Sequence, residues 1–199
     1  MTDWRDYKRE LGEREPSLDR LRIALNWAVC TVHSQVATSE REFERYHYDG
    51  ILPATLPKMR HRALADIRAF CDALDWEKFR RASLARQLDA IVGRVHGLGY
   101  AKVAFALDFA LLHDVACIDI WMARQRLGLP RAPNWKNAKH YLSVVRQAFG
   151  KIEGSGREQW AHYQRVNRAF RRSNHAVVFQ AMGVRTEQQT AFSFSEVTA

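Results

Sequence analysis

Apolar positions recur at steps of three and four residues along most of the chain, the period of helices with one buried face. Leu18, Leu21, Leu25, Ala28, Val29 and Val32 set the first stripe. With Pro16-Ser17 as a start signal, they predict a helix running to about Val36. A second, polar helix is expected after Thr38 or Ser39 as N-cap, supported by Glu42. Asp49-Gly50 marks a turn, and Pro53 and Pro57 restrict the next helix start.

Leu56, Met59, Ala63, Ile67, Phe70 and Leu74 then form another stripe, and Leu84, Leu88, Ile91, Val92 and Val95 a third. After Gly97-Leu98-Gly99 comes the most apolar run, Tyr100 to Leu112, which predicts a helix nearly surrounded by protein. A short loop at His113-Asp114 leads to Cys117-Ile118-Asp119-Ile120-Trp121-Met122 and a helix ending near Leu127. Gly128 and Pro130 to Pro133 break the chain; Trp135, Ala138, Leu142, Val145 and Phe149 make a further helix. Residues 150–156 read as a loop. Residues 157–182 read as one long or kinked helix with Trp160, Tyr163, Val166, Phe170 and Val177 inward. From Thr186 the tail is polar. The chain has no internal repeat and no convincing strand, so the class is all-α.

Composition narrows this picture. With 199 residues, 47% of them apolar, the chain can build one core, in one domain or two small lobes, and is not disordered throughout. No stretch approaches the ~20 apolar residues of a membrane span, and the charged start MTDWRDYKRELGERE is unlike a secretory signal. Cys30, Cys71 and Cys117 are widely spaced in apolar surroundings, with no C-x-x-C and no H-E-x-x-H. That pattern speaks against a disulfide framework, a structural zinc and an iron–sulfur cluster, and favours the cell interior. Cys30 and His33, one helical turn apart, read as core residues. The 31 Lys and Arg against 22 Asp and Glu leave a charge of +9, which favours an acidic partner such as nucleic acid. The basic residues are scattered, so they also suit solvated helix faces.

The informative segment is Val95 to Gln125. Gly97-Leu98-Gly99 joins two apolar helices, and a glycine turn at a helix N-terminus offers backbone N–H groups to a phosphate. It grips a backbone without reading bases. Glycine also serves helix packing alone. Asp119 sits in an otherwise apolar run, and a carboxylate there needs a partner or a task. It reads either as the N-cap of the following helix or as a catalytic group beside a cleft.

These residues resemble the helix–hairpin–helix DNA glycosylase superfamily, which includes endonuclease III, adenine glycosylases and 8-oxoguanine glycosylases. In that family a hairpin of the form L-P-G-[VI]-G-x-[KS]-x-A precedes an apolar helix, a loop and a catalytic aspartate. Gly97-Leu98-Gly99 and Val103-Ala104 resemble the hairpin and helix, and Asp119 matches the aspartate without a gap. Leu25 to Thr38 resembles the family's first core helix, with Gln35 matching the glutamine that enters the duplex. Ser173 to Gly183 resembles the helix that closes the lower lobe. Two positions depart from the pattern: His96 replaces the proline, and Ala101 stands where bifunctional members carry a Schiff-base lysine. Lys102 is one residue later, about 100° around a helix. It reads as a phosphate or solvent contact, or as the nucleophile if the hairpin slips by one residue.

The resemblance implies a two-lobed all-α helix–hairpin–helix glycosylase-like fold as a single domain over 1–199. Residues 18–130 would carry the hairpin and Asp119, 1–17 and 131–185 would complete the second lobe, and 186–199 would be a tail. It implies a monomer acting on double-stranded DNA in the cytoplasm, on nucleoid or viral DNA, without cofactor or metal. Gln35, His96, Gly97, Leu98, Gly99 and Tyr100 would hold the duplex, and a base would be extruded. Asp119 would stabilise the sugar cation and orient water; Lys102, if it reached C1′, would add lyase chemistry. Trp27, Trp121, Trp135, Trp160 and Tyr163 are candidates to stack on the base, though each also suits a core position. Phage-encoded relatives thought to modify bases, a non-catalytic DNA-binding module, and an all-α scaffold unrelated to nucleic acid remain alternatives.

Overall fold

The structure, a computed structural model, describes residues 15–31, 36–50, 58–166, 178 and 181–183. Among them lie nine helices and no strand: α1 Leu18–Cys30, α2 Val36–Asp49, α3 Lys58–Asp72, α4 Trp76–Arg80, α5 Leu84–Val92, α6 Tyr100–Phe109, α7 Ile120–Leu127, α8 Ala138–Phe149 and α9 Ser155–Val166. The protein is all-α.

α1 begins where Ser17 accepts the Arg20 amide, as the Pro-Ser signal predicts. It stops at Cys30, short of the expected Val36. There Thr31 turns its hydroxyl back onto the Ala28 carbonyl, and its own carbonyl accepts from the Lys102 ammonium. Neither Thr38 nor Ser39 is an N-cap, because α2 already starts at Val36. Ser39 is fully buried inside α2 and donates to the Cys30 carbonyl at 2.9 Å, tying the two helices together. Glu42, expected to support that cap, instead meets Arg60 of α3 at 3.2 Å in a mostly buried pair.

α1 is buried along almost its whole length and packs against α2, α3 and α6. Trp27 meets Phe43 of α2 edge-on, with ring centres 5.7 Å apart. In α3 the stripe Ala63, Ile67 and Phe70 is in the core, joined by Leu64. Met59 departs from it: at 72% exposure it lies on the outer face of the first turn. α4 was not foreseen. Asp75 caps its five residues, which seat Phe79 against Phe70.

α6 is the apolar helix the sequence predicts, with Val103, Ala104, Ala106, Leu107 and Phe109 all sealed. Each of the large ones contributes about 1.5–3 kcal/mol by burial. It contacts α1 on one side and α5 and α8 on the other; α8 in turn packs on α7 and α9. α9 starts at Ser155, and the rest of the long helix expected to 182 lies largely outside the described residues, as do Leu56, Pro53, Pro57, Gln35, His33 and the tail. Cys30, Cys71 and Cys117 are buried and unbonded. No helix among the described residues is long and apolar enough to cross a membrane, and none of their side-chain groupings could hold a metal ion.

Candidate active site

Asp119 sits at the end of an irregular segment, not on a helix. α6 closes at Leu111, which takes φ +59°, and the Leu112 and His113 amides fold back onto the Leu107 carbonyl. A left-handed leucine costs about 1–2 kcal/mol. The chain then runs without regular secondary structure to Asp119, buried from Asp114 to Ile118 with no strand beside it among the described residues. Its backbone polar groups therefore need other partners.

Side chains supply them. From α9, the Ser155 hydroxyl accepts the Ala116 amide at 2.9 Å. The Gln159 carboxamide grips Cys117 twice, accepting from its amide at 2.6 Å and donating to its carbonyl at 2.7 Å. From α8, the Tyr141 hydroxyl donates to the Ala116 carbonyl at 2.6 Å and accepts the Ile118 amide at 3.2 Å. Asp114 anchors the start: its carboxylate accepts the Arg157 amide at 2.7 Å in the first turn of α9, where a helix favours negative charge. Its carbonyl accepts the Gly154 amide at 2.9 Å. Residue 156 must be glycine, since a Cβ there would stand 2.7 Å from a carboxylate oxygen of Asp108 and 2.9 Å from one of Asp114.

Ser155, Gln159 and Tyr163 are four residues apart, so they line one face of α9. The third reaches Asp119 itself: the Tyr163 hydroxyl donates to one carboxylate oxygen at 2.7 Å. The other oxygen accepts the Met122 amide at 2.8 Å, so Asp119 is the N-cap of α7. The carboxylate is half-buried, not sealed. Each oxygen spends one of its two lone-pair sites, which leaves capacity for a further donor or a cation. Burial, then the charge of Asp119, pushes the Tyr163 phenol well above its usual range, so it stays a donor. Cys117, two residues before Asp119, has its thiol pushed up to about 12 by burial and by the Asp119 charge, opposed by Lys102. It is no nucleophile near neutral pH.

Lys102 therefore lies within electrostatic reach of the same segment. Its ammonium is held elsewhere, donating to the Thr31 hydroxyl at 2.9 Å and lying 5.6 Å from the centre of the Phe105 ring. It leans on the end of α1, the helix that leads toward Gln35; Gln35 itself lies outside the described residues.

The hairpin between α5 and α6 has Gly97 at φ +80°, a conformation that favours glycine, and Gly99 as N-cap of α6 without a side-chain cap. Both glycines are exposed. His96 and Gly97 form a hydrogen-bonded turn closed by the Leu98 amide on Val95, while the amides of Gly97 and Gly99 have no acceptor among the described residues. Leu98 as a whole is 3% exposed and packs into the core, so it offers a ligand neither side chain nor backbone. His96 is committed: its amide and its ring Nδ1 both meet the Asp66 carboxylate, at 3.1 and 2.9 Å. Tyr100 donates to Asp89 at 2.8 Å, and that bond together with burial raises its phenol to about 12. Asp89 also accepts the Ala138 amide at 3.0 Å, joining the hairpin helices to α8.

Sequence reasoning missed Ser155, Gln159, Tyr141 and Asp114. The four-residue spacing of Ser155, Gln159 and Tyr163 was visible, but their target is a distant segment with no pattern of its own. The stacking candidates separate by exposure: Trp27 and Trp160 are core, while Trp121 is 47% exposed. A cavity of about 300 Å³ lined by Pro16, Arg80, Arg81 and Leu112 shares no residue with the Asp119 group. No protein family, curated protein or solved structure matches the chain.

Proposed function

We propose that the protein is a DNA glycosylase-like enzyme of the helix–hairpin–helix type that extrudes a base from duplex DNA and cleaves its N-glycosidic bond. The observation that carries this reading is the placement of Asp119. It is a half-buried carboxylate with unspent lone pairs, held by two hydrogen bonds, twenty residues after a hairpin whose two exposed glycine amides are unpaired among the described residues.

The chemistry follows from those parts. The exposed amides of Gly97 and Gly99 take a phosphate oxygen at the positive end of α6. Loss of the base leaves positive charge on the sugar, which Asp119 stabilises while orienting water for attack. A carboxylate so held needs little reorganisation at the moment of reaction. Hydrolysis is favoured over an imine route because the Lys102 amine is already bound to Thr31, one helical step from the position the family pattern requires.

The test is an incubation with a panel of damaged and modified duplexes, with mass spectrometry of released bases and of the remaining DNA. Asp119→Asn keeps an N-cap as good as aspartate, so the fold is retained. The wild-type protein is expected to release a base, and the variant to bind the duplex without releasing it. Release at an unchanged rate by the variant overturns the assignment. A mass gain on the DNA without release points to base modification on the same fold; salt-sensitive duplex binding with neither points to a binding module.

A further inference from the structure

We infer that the outer face of the first turn of α7 is a stacking platform for an unpaired nucleobase, with Trp121 as the platform and Arg124 as the phosphate contact beside it. This rests on the DNA reading above and adds the part of the substrate that Asp119 alone does not hold.

The first observation is that Trp121 has no aromatic neighbour among the described residues. Trp27 meets Phe43, Trp76 meets Phe79, Trp135 meets Tyr141 and Trp160 meets Phe109. Trp121 meets no ring among the described residues and is 47% exposed, beside Ile120 at 45%. Exposing an indole forgoes a large burial gain. It does so two residues after Asp119, in the turn whose third amide the Asp119 carboxylate accepts.

The second observation is charge. α7 carries two arginines with different fates. Arg126, on the side toward α9, pairs with Glu158 at 3.1 Å. Arg124 is exposed, three residues from Trp121 and so on the same face. No carboxylate pairs with it among the described residues. Its Nε donates to the Pro130 carbonyl at 3.2 Å, which steadies the guanidinium beside the loop that carries exposed Arg131. An exposed indole flanked by unneutralised arginine complements a base next to a phosphate, and suits neither lipid nor an acidic peptide as well. Ring stacking is tolerant of base identity because every base has a π-face. The platform should therefore accept any unpaired base, and purines more strongly for their area.

The experiment uses the full chain and three probes: a paired duplex, the same duplex with a single bulged 2-aminopurine, and the single strand. Binding is read by anisotropy and stacking by quenching of 2-aminopurine fluorescence. Trp121→Ala is expected to weaken the bulged duplex by about 5- to 150-fold, the range of one base–aromatic stack, and to abolish quenching. Binding of the paired duplex should change by less than about twofold on the same ground. Trp121→Phe should retain part of both signals, and Arg124→Gln should lower the salt slope by about one on every probe.

An equal loss on paired and bulged duplexes, or no loss on either, overturns the platform and leaves the glycosylase reading standing. A substantially lower melting temperature for Trp121→Ala shows that the indole packs on protein, and likewise overturns it. Failure of the wild-type protein to bind any of the three probes at low salt overturns both.

Discussion

The two segments flanking α6 are built on opposite principles. The hairpin before it exposes its two glycines, keeps their amides unpaired among the described residues, and is steadied by buried Leu98 and, at its margins, by Asp66 and Asp89. The segment after it is buried and over-determined: between Asp114 and Asp119, side chains from α8 and α9 occupy most of its backbone polar groups. The difference separates two requirements of a site. A backbone that receives a ligand must leave donors open, whereas a side chain that acts at one point must have its backbone fixed. One apolar helix serves both, because sealing Val103, Leu107 and Phe109 makes α6 a rigid strut between them.

The sharpest way to break this contrast is Gln159→Leu. It leaves the buried Cys117 amide without its partner, while the Cys117 carbonyl keeps the Asp119 amide at 3.0 Å. At about 1–3 kcal/mol for one unsatisfied buried group, the loss is a sizeable share of a domain's stability. Chemical denaturation measures it, and a loss below about 1 kcal/mol shows that the segment is not held as described. Gly97→Ala attacks the other side. The added Cβ meets no atom within 4 Å, so only the left-handed backbone is penalised. The expected cost is about 1–2 kcal/mol. Duplex binding should nevertheless fall more than it does for Gln159→Leu under conditions where both are folded. The reverse order would mean that the hairpin amides are not the contact.

Much of the helical frame was legible because it rests on periodicity alone. The stripes of α1, α5, α6 and α8 are in the core as the spacing predicts, and Ser17 and Gly97 behave as their residue types require. What was not legible was tertiary in origin. α1 ends early because Thr31 and Lys102, 71 residues apart, meet at its last carbonyl. Ser39 looks like an N-cap by type, but its partner is the end of another helix. Asp119 was visible as an anomaly among apolar neighbours, and the geometry bears out its reading as the N-cap of α7, while its catalytic reading belongs to the proposal. Its support by Tyr163 and Gln159 was hidden, because polar residues on a helix face give no sign of which distant backbone they will satisfy.

The smallest expected effect is in pH, and it too should divide the two segments. His113 stands at the entrance to the buried segment, its Nε2 donating to the Gln87 carboxamide oxygen at 3.0 Å. That direction is fixed because the Gln87 nitrogen is spent on the Phe79 carbonyl. Burial lowers the His113 pKa below the ordinary 6.5, with Glu153 opposing. The unfolded chain therefore binds this proton first as pH falls, and stability is lost from about pH 7 down to the folded value. Asp66 at the hairpin has the opposite window. The His96 amide holds its carboxyl below the usual 3.8, so its contribution is intact until the solution is far more acidic. Between pH 7.5 and 5.5 the melting temperature should fall, and His113→Gln should flatten that fall while Asp66→Asn leaves its slope unchanged. His47 is lowered by burial in the same direction, so some slope should survive in His113→Gln and shrink further when His47→Gln is added. An undiminished slope in the double variant would mean that acid acts on neither buried ring, and that the entrance to the Asp119 segment is no more sensitive to protons than the hairpin is.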